Sequence, residues 1–328
     1  MTTHTQPTVM VLGTGGTIAG RAASAADNIG YTAGEVPVTE LLGDVPVPAG
    51  VQVQAQQVAQ VDSKDMGPTV WRPLLAVLYA ALHNPSVCGV VITHGTDTLE
   101  ETAYLLQRVL NPAKPVVLVS AMRPATATLR DGPQNLQDGL QLAAMPGARG
   151  VLAVCMGQVH SGIDVRKVHN HNVVAFDSGD AGCVGELREG RWTQWRPWPQ
   201  LATAAEGLLD KLLSNRPWPR VEWITSHGGQ DGFVVRALLS GSQAAAQQGD
   251  EADVLKGLMV AGTGNGTLHQ DLEAALLEAQ AAGVQVRRTT RVVRGTVIDT
   301  GKSAFQTSAL PPAKARLELM LDLLGQTR

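Results

Sequence analysis

The chain has 328 residues, 44 % hydrophobic and 17 % charged, which is a globular composition and not a disordered one. Twenty-six basic against 29 acidic side chains leave a net charge of −3, which argues against a protein that lives on the nucleic-acid backbone. The longest unbroken apolar run, Leu74 to Leu82, has nine residues, well short of the roughly 20 of a membrane span.

Three cysteines, Cys88, Cys155 and Cys183, lie far apart with no CxxC spacing, so neither a disulfide framework nor a zinc site is expected. Strand-like residues begin at Val9 with no basic stretch and apolar run before them. The expected compartment is the cytoplasm, or the periplasm if a leader has been removed.

Short valine-rich runs alternate with helical patterns. Val9–Leu12, Val58–Val61, Cys88–Thr93, Val116–Ser120 and Val151–Cys155 read as buried strands bounded by glycine, proline or polar residues. Between them, Leu74, Leu75, Leu78 and Leu82 share one helix face, and Pro73 just ahead should kink or restart that helix. Leu99, Thr102, Leu106 and Val109 share a face of a second helix, whose start has a capping-box spacing at Thr98 and Glu101. This alternation predicts an α/β fold: right-handed crossovers and a mainly parallel sheet with helices on both faces.

The pattern lapses between Arg191 and Pro219, where RWTQWRPWPQ and NRPWPR read as an ordered linker with tryptophans covering a seam between domains. It restarts at Val221–Thr225, Leu258–Ala261 and Val284–Arg287, while Gln243–Asp253 reads as a surface insertion. The organisation is an N-terminal α/β domain over 1–195, a linker over 196–219 and a C-terminal α/β domain over 220–328.

Four segments carry chemistry. Gly13–Gly20, GTGGTIAG, follows the first strand and lifts Thr17 on a tight turn. It lacks the third glycine of a dinucleotide fingerprint and the GK[ST] of a phosphate loop. Ligand loop and plain glycine turn with a capping threonine both remain open. In Val91–Thr98, VITHGTDT, Thr96 and Asp97 pair an alcohol with a carboxylate at a strand end. They suit a helix cap, or an ammonium site with a nucleophile or proton carrier. His94 has no second ligand at metal spacing and reads as structural. Asp62–Met66, DSKDM, places Ser63 at a third strand end. In Asp164–Lys167, DVRK, the lysine matters only if it is desolvated beside an alcohol that needs a base.

Together these segments resemble the bacterial-type L-asparaginase and asparaginase–glutaminase family, nearer its type II pattern. The matching motifs are TGGTIAG, YTAG (Tyr31–Gly34), DSKDM, THGTDTLEETAY, KPVVLVSAMRP, DGPQNL (Asp131–Leu136), DVRK and GTGNG (Gly262–Gly266), in the family's order. The resemblance implies a large N-terminal and a smaller C-terminal α/β domain. It implies a homotetramer built as a dimer of intimate dimers, and hydrolysis of L-asparagine to L-aspartate and ammonia without cofactor or metal. By motif, Thr17 is the first candidate nucleophile, with Tyr31 beside it on a mobile lid. Thr96 is the second threonine, with Lys167 to take its proton and Asp97 close by. Ser63 would hold the substrate carboxylate and Asp97 its ammonium. The Ala121 carbonyl would receive the leaving amide, and Asn265 would act on the partner subunit's site.

Two departures bear on substrate preference. Lys64 stands where the family has glutamine or glutamate helping to hold the substrate's amino group, so Lys64 belongs to the expected substrate-binding set. The loop Arg294–Gln306 has no glutamate to match the family's partner-subunit acid, Asp299 being the nearest. The expectation is an asparaginase with weak glutaminase activity. The alternative is a small-molecule or nucleotide-binding α/β protein without amidase activity.

Overall fold

The computed structural model describes residues 6–43, 45–202 and 204–326. The chain divides into two compact units, Met1–Ala204 and Ala205–Arg328. The first runs β1 (Thr8–Gly15), β2 (Arg21–Ala22), β3 (Tyr31–Thr32), α1 (Val38–Leu42), β4 (Gln52–Val61), α2 (Pro68–His83), β5 (Val87–Thr93), α3 (Leu99–Leu110), β6 (Pro115–Val119), α4 (Gly132–Ala143), β7 (Gly150–Cys155), β8 (Gln158–Ser161), β9 (Arg166–Lys167), β10 (Phe176–Asp177), β11 (Gly185–Arg188) and β12 (Arg191–Gln194). Its main sheet has the order β12-β11-β8-β7-β6-β5-β1-β4. From β4 to β7 every pairing is parallel, and β8, β11 and β12 add antiparallel pairs at the far edge.

Side chains alternate between the two faces of a strand. Val91, Val117 and Val119 meet Leu136 and Leu140 of α4 on one face. Val90, Ile92, Val116 and Leu118 therefore point to the other, and they too are fully buried. That double burial is why these strands read as continuous apolar runs. β4 departs from the expected buried strand: it lies at the sheet edge, and its glutamine-rich sequence alternates between exposed and half-buried positions. Pro73 does not restart a helix either. α2 begins at Pro68 and runs through Pro73 to His83, so the proline costs it one amide donor near its start.

The second unit contains α5 (Leu208–Leu213), β13 (Arg220–Thr225), α6 (Phe233–Gln248), β14 (Leu255–Gly262), α7 (Gln270–Ala281), β15 (Gln285–Thr290), β16 (Gln306–Thr307) and α8 (Pro312–Gln326). Its four strands pair in parallel in chain order. Leu258 and Val260 pack with Leu272, Ala275 and Leu276 of α7 on one face. On the other face α8 covers Gly257, where an added Cβ would come within 3.0 Å of Leu319.

One further expectation is corrected. Gln243–Gln248 is no insertion but the last turns of α6; alanine and glutamine are good helix formers, so the polar run continues the helix. Three tryptophans near the linker pack inside a unit, while Trp195 is exposed. Trp192 and Trp198 stack at 5.2 Å and pack on the core of the first unit. Trp218 is buried in the second and donates its indole N–H to the Leu212 carbonyl.

Candidate active site

Strands β4, β1 and β5 are neighbours and parallel, so their carboxyl ends come out on one edge of the sheet. That edge is where open α/β sheets bind ligands. The turns leaving the three strands touch backbone to backbone. Gly15 and Gly16 both have positive φ, 104° and 82°. A Cβ on Gly16 would collide with the Gly95 backbone, and one on Gly95 with the Ser63 hydroxyl. The glycines are therefore needed for close approach as well as for the turn. Hydrogen bonds fix the contact: Thr14 donates to the Thr93 carbonyl at 2.8 Å, and Gly16 N–H to the Val61 carbonyl at 2.8 Å. Thr17, Ser63 and Thr96 are thereby gathered and buried.

Thr98 does not cap α3 with its side chain. Its hydroxyl instead donates to the Ser63 carbonyl at 2.8 Å, while Ser63 Oγ accepts from the Asp97 amide at 3.2 Å. The expected capping box is given up for a double clamp between two strand-end turns.

Lys167 lies 71 residues from Thr96 in sequence, yet its Nζ donates to Thr96 Oγ1 at 2.8 Å and to Asp97 Oδ1 at 2.6 Å. The lysine side chain is 19 % exposed and the Asp97 side chain 55 %, so the ammonium is largely enclosed while the carboxylate reaches solvent. It sits on β9, a two-residue strand paired with β10 outside the main sheet. Its own amide donates to Glu100 Oε2 at 2.9 Å.

Tyr31 is carried by the small β2–β3 hairpin, and its hydroxyl lies 2.7 Å from Thr17 Oγ1. The segment 19–37 around it is strapped to the loop after β6. Ala125 N–H donates to the Gly20 carbonyl, Ala22 N–H to Thr126 Oγ1 and Thr128 N–H to the Ala25 carbonyl, at 2.9, 2.9 and 3.1 Å.

Ala121 follows β6 and is buried. The DGPQNL motif supports that turn. Asp131 accepts from the amides of Met122 and Arg123 at 2.9 and 3.0 Å, and Asn135 donates to the Ser120 carbonyl at 2.8 Å. Burial raises the Asp131 carboxyl above its ordinary value despite these bonds.

His94 is fully buried behind the Thr96 turn. The indole of Trp71 can only donate, and it does so to Thr102 Oγ1 at 2.9 Å. The Gly95 carbonyl can only accept, so His94 Nδ1, 2.7 Å away, carries the proton, and Nε2 accepts from Thr102 at 2.9 Å. Burial depresses the imidazole to about 4, so it is neutral.

Lys64 Nζ pairs with Asp62 at 2.8 Å and Asp65 at 3.2 Å, the two acids flanking it. These hydrogen bonds raise its pKa. Asn265, in the turn after β14, donates to the Ile298 carbonyl at 2.9 Å and accepts from the Ile298 amide at 2.7 Å. Asp299 lies 3.8 Å from Arg288. Among the described residues, no group of three or more His, Cys, Asp or Glu side chains is placed to hold a metal ion.

A family model for the asparaginase N-terminal domain matches residues 8–199, and one for the glutaminase/asparaginase C-terminal domain matches residues 220–328. L-asparaginase 2 of Escherichia coli (strain K12) is 34 % identical over 97 % of this chain and 89 % of its own length. A glutaminase-asparaginase of Pseudomonas fluorescens biotype A is 34 % identical over 96 % and 86 %. Among solved structures, a probable cytoplasmic L-asparaginase from Campylobacter jejuni superimposes with a TM-score of 0.86 at 34 % identity, covering 98 % of this chain and 96 % of that one. The chain belongs to the asparaginase family.

Within this asparaginase fold, several residues at the site have contacts that the sequence does not mark. Glu100 is an ordinary first-turn helix acid, Thr98 an ordinary cap, and Thr126 one polar residue in a loop. Only their long-range partners, Lys167, Ser63 and Ala22, set them apart. No local spacing signals such contacts.

Proposed function

We propose that the protein hydrolyses the side-chain amide of L-asparagine to L-aspartate and ammonia, with weak activity on L-glutamine. The observation that carries this reading is Lys167 Nζ hydrogen-bonded to both Thr96 and Asp97, whose turn contacts the one that bears Thr17, itself 2.7 Å from the Tyr31 hydroxyl. An alcohol attacks an amide only if its proton has an acceptor, and here each threonine has one side-chain partner in place. Thr17 Oγ adds to the amide carbon and its proton passes through Tyr31 to the departing nitrogen. The C–N bond breaks, ammonia leaves past the Ala121 carbonyl, and a threonyl ester remains. Water, its proton taken by the Thr96–Lys167 pair, then adds to the ester carbon; the acyl bond to Thr17 Oγ breaks, a proton returns to that oxygen through Tyr31, and L-aspartate leaves. Backbone amides around Thr96 stabilise the oxyanion.

Ser63 holds the substrate carboxylate and Asp97 its ammonium. Asp97 is bonded to Lys167 at rest. Asn265 acts on the partner's site in a tetramer built as a dimer of intimate dimers. The chemistry needs only water as co-reactant.

Ammonia release measured across L-asparagine, D-asparagine and L-glutamine tests the reading. The expected order is L-asparagine first and L-glutamine well behind. No ammonia from L-asparagine would overturn it.

A further inference from the structure

We infer that Glu100 is a positioning residue for the proposed reaction, acting through the backbone of Lys167; this deepens the reading above and rests on it. Lys167 must hold its Nζ within hydrogen-bond reach of Thr96 Oγ1, yet it belongs to no strand of the main sheet. Its strand has two residues and pairs only with the two residues of β10, Phe176 facing Lys167 and Asp177 facing Arg166. So short a ribbon has little stability of its own. From one side it is tied down by the preceding turn: Asp164 and Val165 donate their amides to Ser161, the Val165 side chain is fully buried, and Asp164 pairs with Arg196.

From the other side Val168 donates its amide to the Ala175 carbonyl at 2.8 Å, and the tie on the Lys167 amide itself is Glu100. Its Oε2 accepts the Lys167 amide at 2.9 Å. Glu100 lies in the first turn of α3, three residues after Asp97 and four after Thr96. The helix that begins directly after the Thr96–Asp97 turn thus fixes both partners of the proton transfer. The alcohol is held through the chain, and the lysine through one carboxylate. A hydrogen bond from an amide to an ionised carboxylate is short and strong for its kind, which suits an anchor spanning 67 residues of sequence. The same helix end holds the third turn, because Thr98 donates to the Ser63 carbonyl. Displacements of about 1 Å at reacting atoms lower rates about 100-fold. Loss of this anchor therefore acts on kcat while leaving the carboxylate and ammonium contacts of the substrate intact.

The test compares Glu100→Ala and Glu100→Gln with the unaltered full-length enzyme, reading kcat, KM for L-asparagine and melting temperature. Glutamine keeps a carbonyl oxygen at the same reach and so can accept the Lys167 amide. The expected result is a fall in kcat of roughly 10- to 100-fold for Glu100→Ala, KM changed by less than about threefold, and most of kcat restored in Glu100→Gln. Equal loss of kcat in both variants would overturn the positioning role, as would a kcat for Glu100→Ala within twofold of the unaltered enzyme. A loss in Glu100→Ala tracking a drop in melting temperature that Glu100→Gln shares would also overturn it, since the acid would then be holding the fold. If the unaltered enzyme releases no ammonia from L-asparagine, the parent reading fails and the inference falls with it. Normal turnover in that enzyme with an insensitive Glu100 refutes the inference alone.

Discussion

At the scale of single residues, the two threonines are distinguished by their partners: Thr17 faces Tyr31, and Thr96 faces Lys167. Groups that work as one unit give losses that do not add. Thr17→Ala and Thr96→Val should each lower kcat by about three orders of magnitude or more, and the double variant should be little worse than the worse single one. Near-normal turnover in either single variant would exclude the two-threonine scheme. Lys64 is paired with Asp62 and Asp65, and an ammonium aimed at the substrate's own ammonium would repel it. On the proposed reading, the pocket then has one hydrogen-bond acceptor fewer for the substrate ammonium. Lys64→Gln should lower KM for asparagine roughly tenfold and raise the ratio of glutamine to asparagine turnover; unchanged constants would make Lys64 a bystander.

His94 yields a stability prediction. Its folded value, about 4, lies below the ordinary 6.5. Between those limits the unfolded chain binds a proton that the folded one refuses. Its share of stability, roughly 3 kcal/mol, is full above pH 6.5 and is lost as the pH falls towards 4. The buried carboxyls Asp131 and Asp138, raised by burial, work in the opposite direction. Comparing melting curves from pH 7 to pH 4 for the unaltered chain and His94→Gln isolates the histidine: the variant should lose less stability over that window. Parallel curves would contradict a neutral buried imidazole.

At the scale of elements, the site is an edge of a sheet closed by a strap. Positive φ at Gly15 and Gly16, and the contact between Gly16 and Gly95, let three strand-end turns share a space too small for side chains. The strap, 19–37, touches the 124–128 loop through a few hydrogen bonds, one of them from Ala22 to the Thr126 hydroxyl. Segments held by few bonds open at low cost. Limited proteolysis within 19–37 should slow when aspartate is bound and quicken in Thr126→Val. Cleavage indifferent to both would show that the segment is not a lid.

At the scale of the whole molecule, each unit has its own buried core, so subunits separated from an assembly should remain folded. If Asn265 completes the site of a neighbouring subunit, those separated subunits should be inactive. Size-exclusion fractions assayed at once for ammonia release decide it: full specific activity in a monomer peak would refute a shared site.

The alternation of valine-rich runs with amphipathic helices was enough to predict a mainly parallel α/β sheet, because burial on both faces leaves that mark on β5, β6 and β7. The glycine turns and the alcohols on them were legible for the same local reason: a tight turn at a strand end needs glycine wherever it occurs. The edge position of β4 was hidden, since strand order is a matter of which runs lie side by side and not of any run's own pattern. α2 runs on through Pro73, and α6 through Gln243–Gln248, because packing and helix propensity outweigh the local signals there. Capping is the option that local sequence offers Thr98, and only the fold offers it the Ser63 carbonyl instead. Lys167 beside Thr96, and Glu100 beneath Lys167, join residues 71 and 67 positions apart. Sequence periodicity acts over a few residues, whereas these contacts exist only once the fold is formed: motif resemblance names Lys167 as a partner for Thr96, and the tertiary structure alone decided that Glu100 holds it.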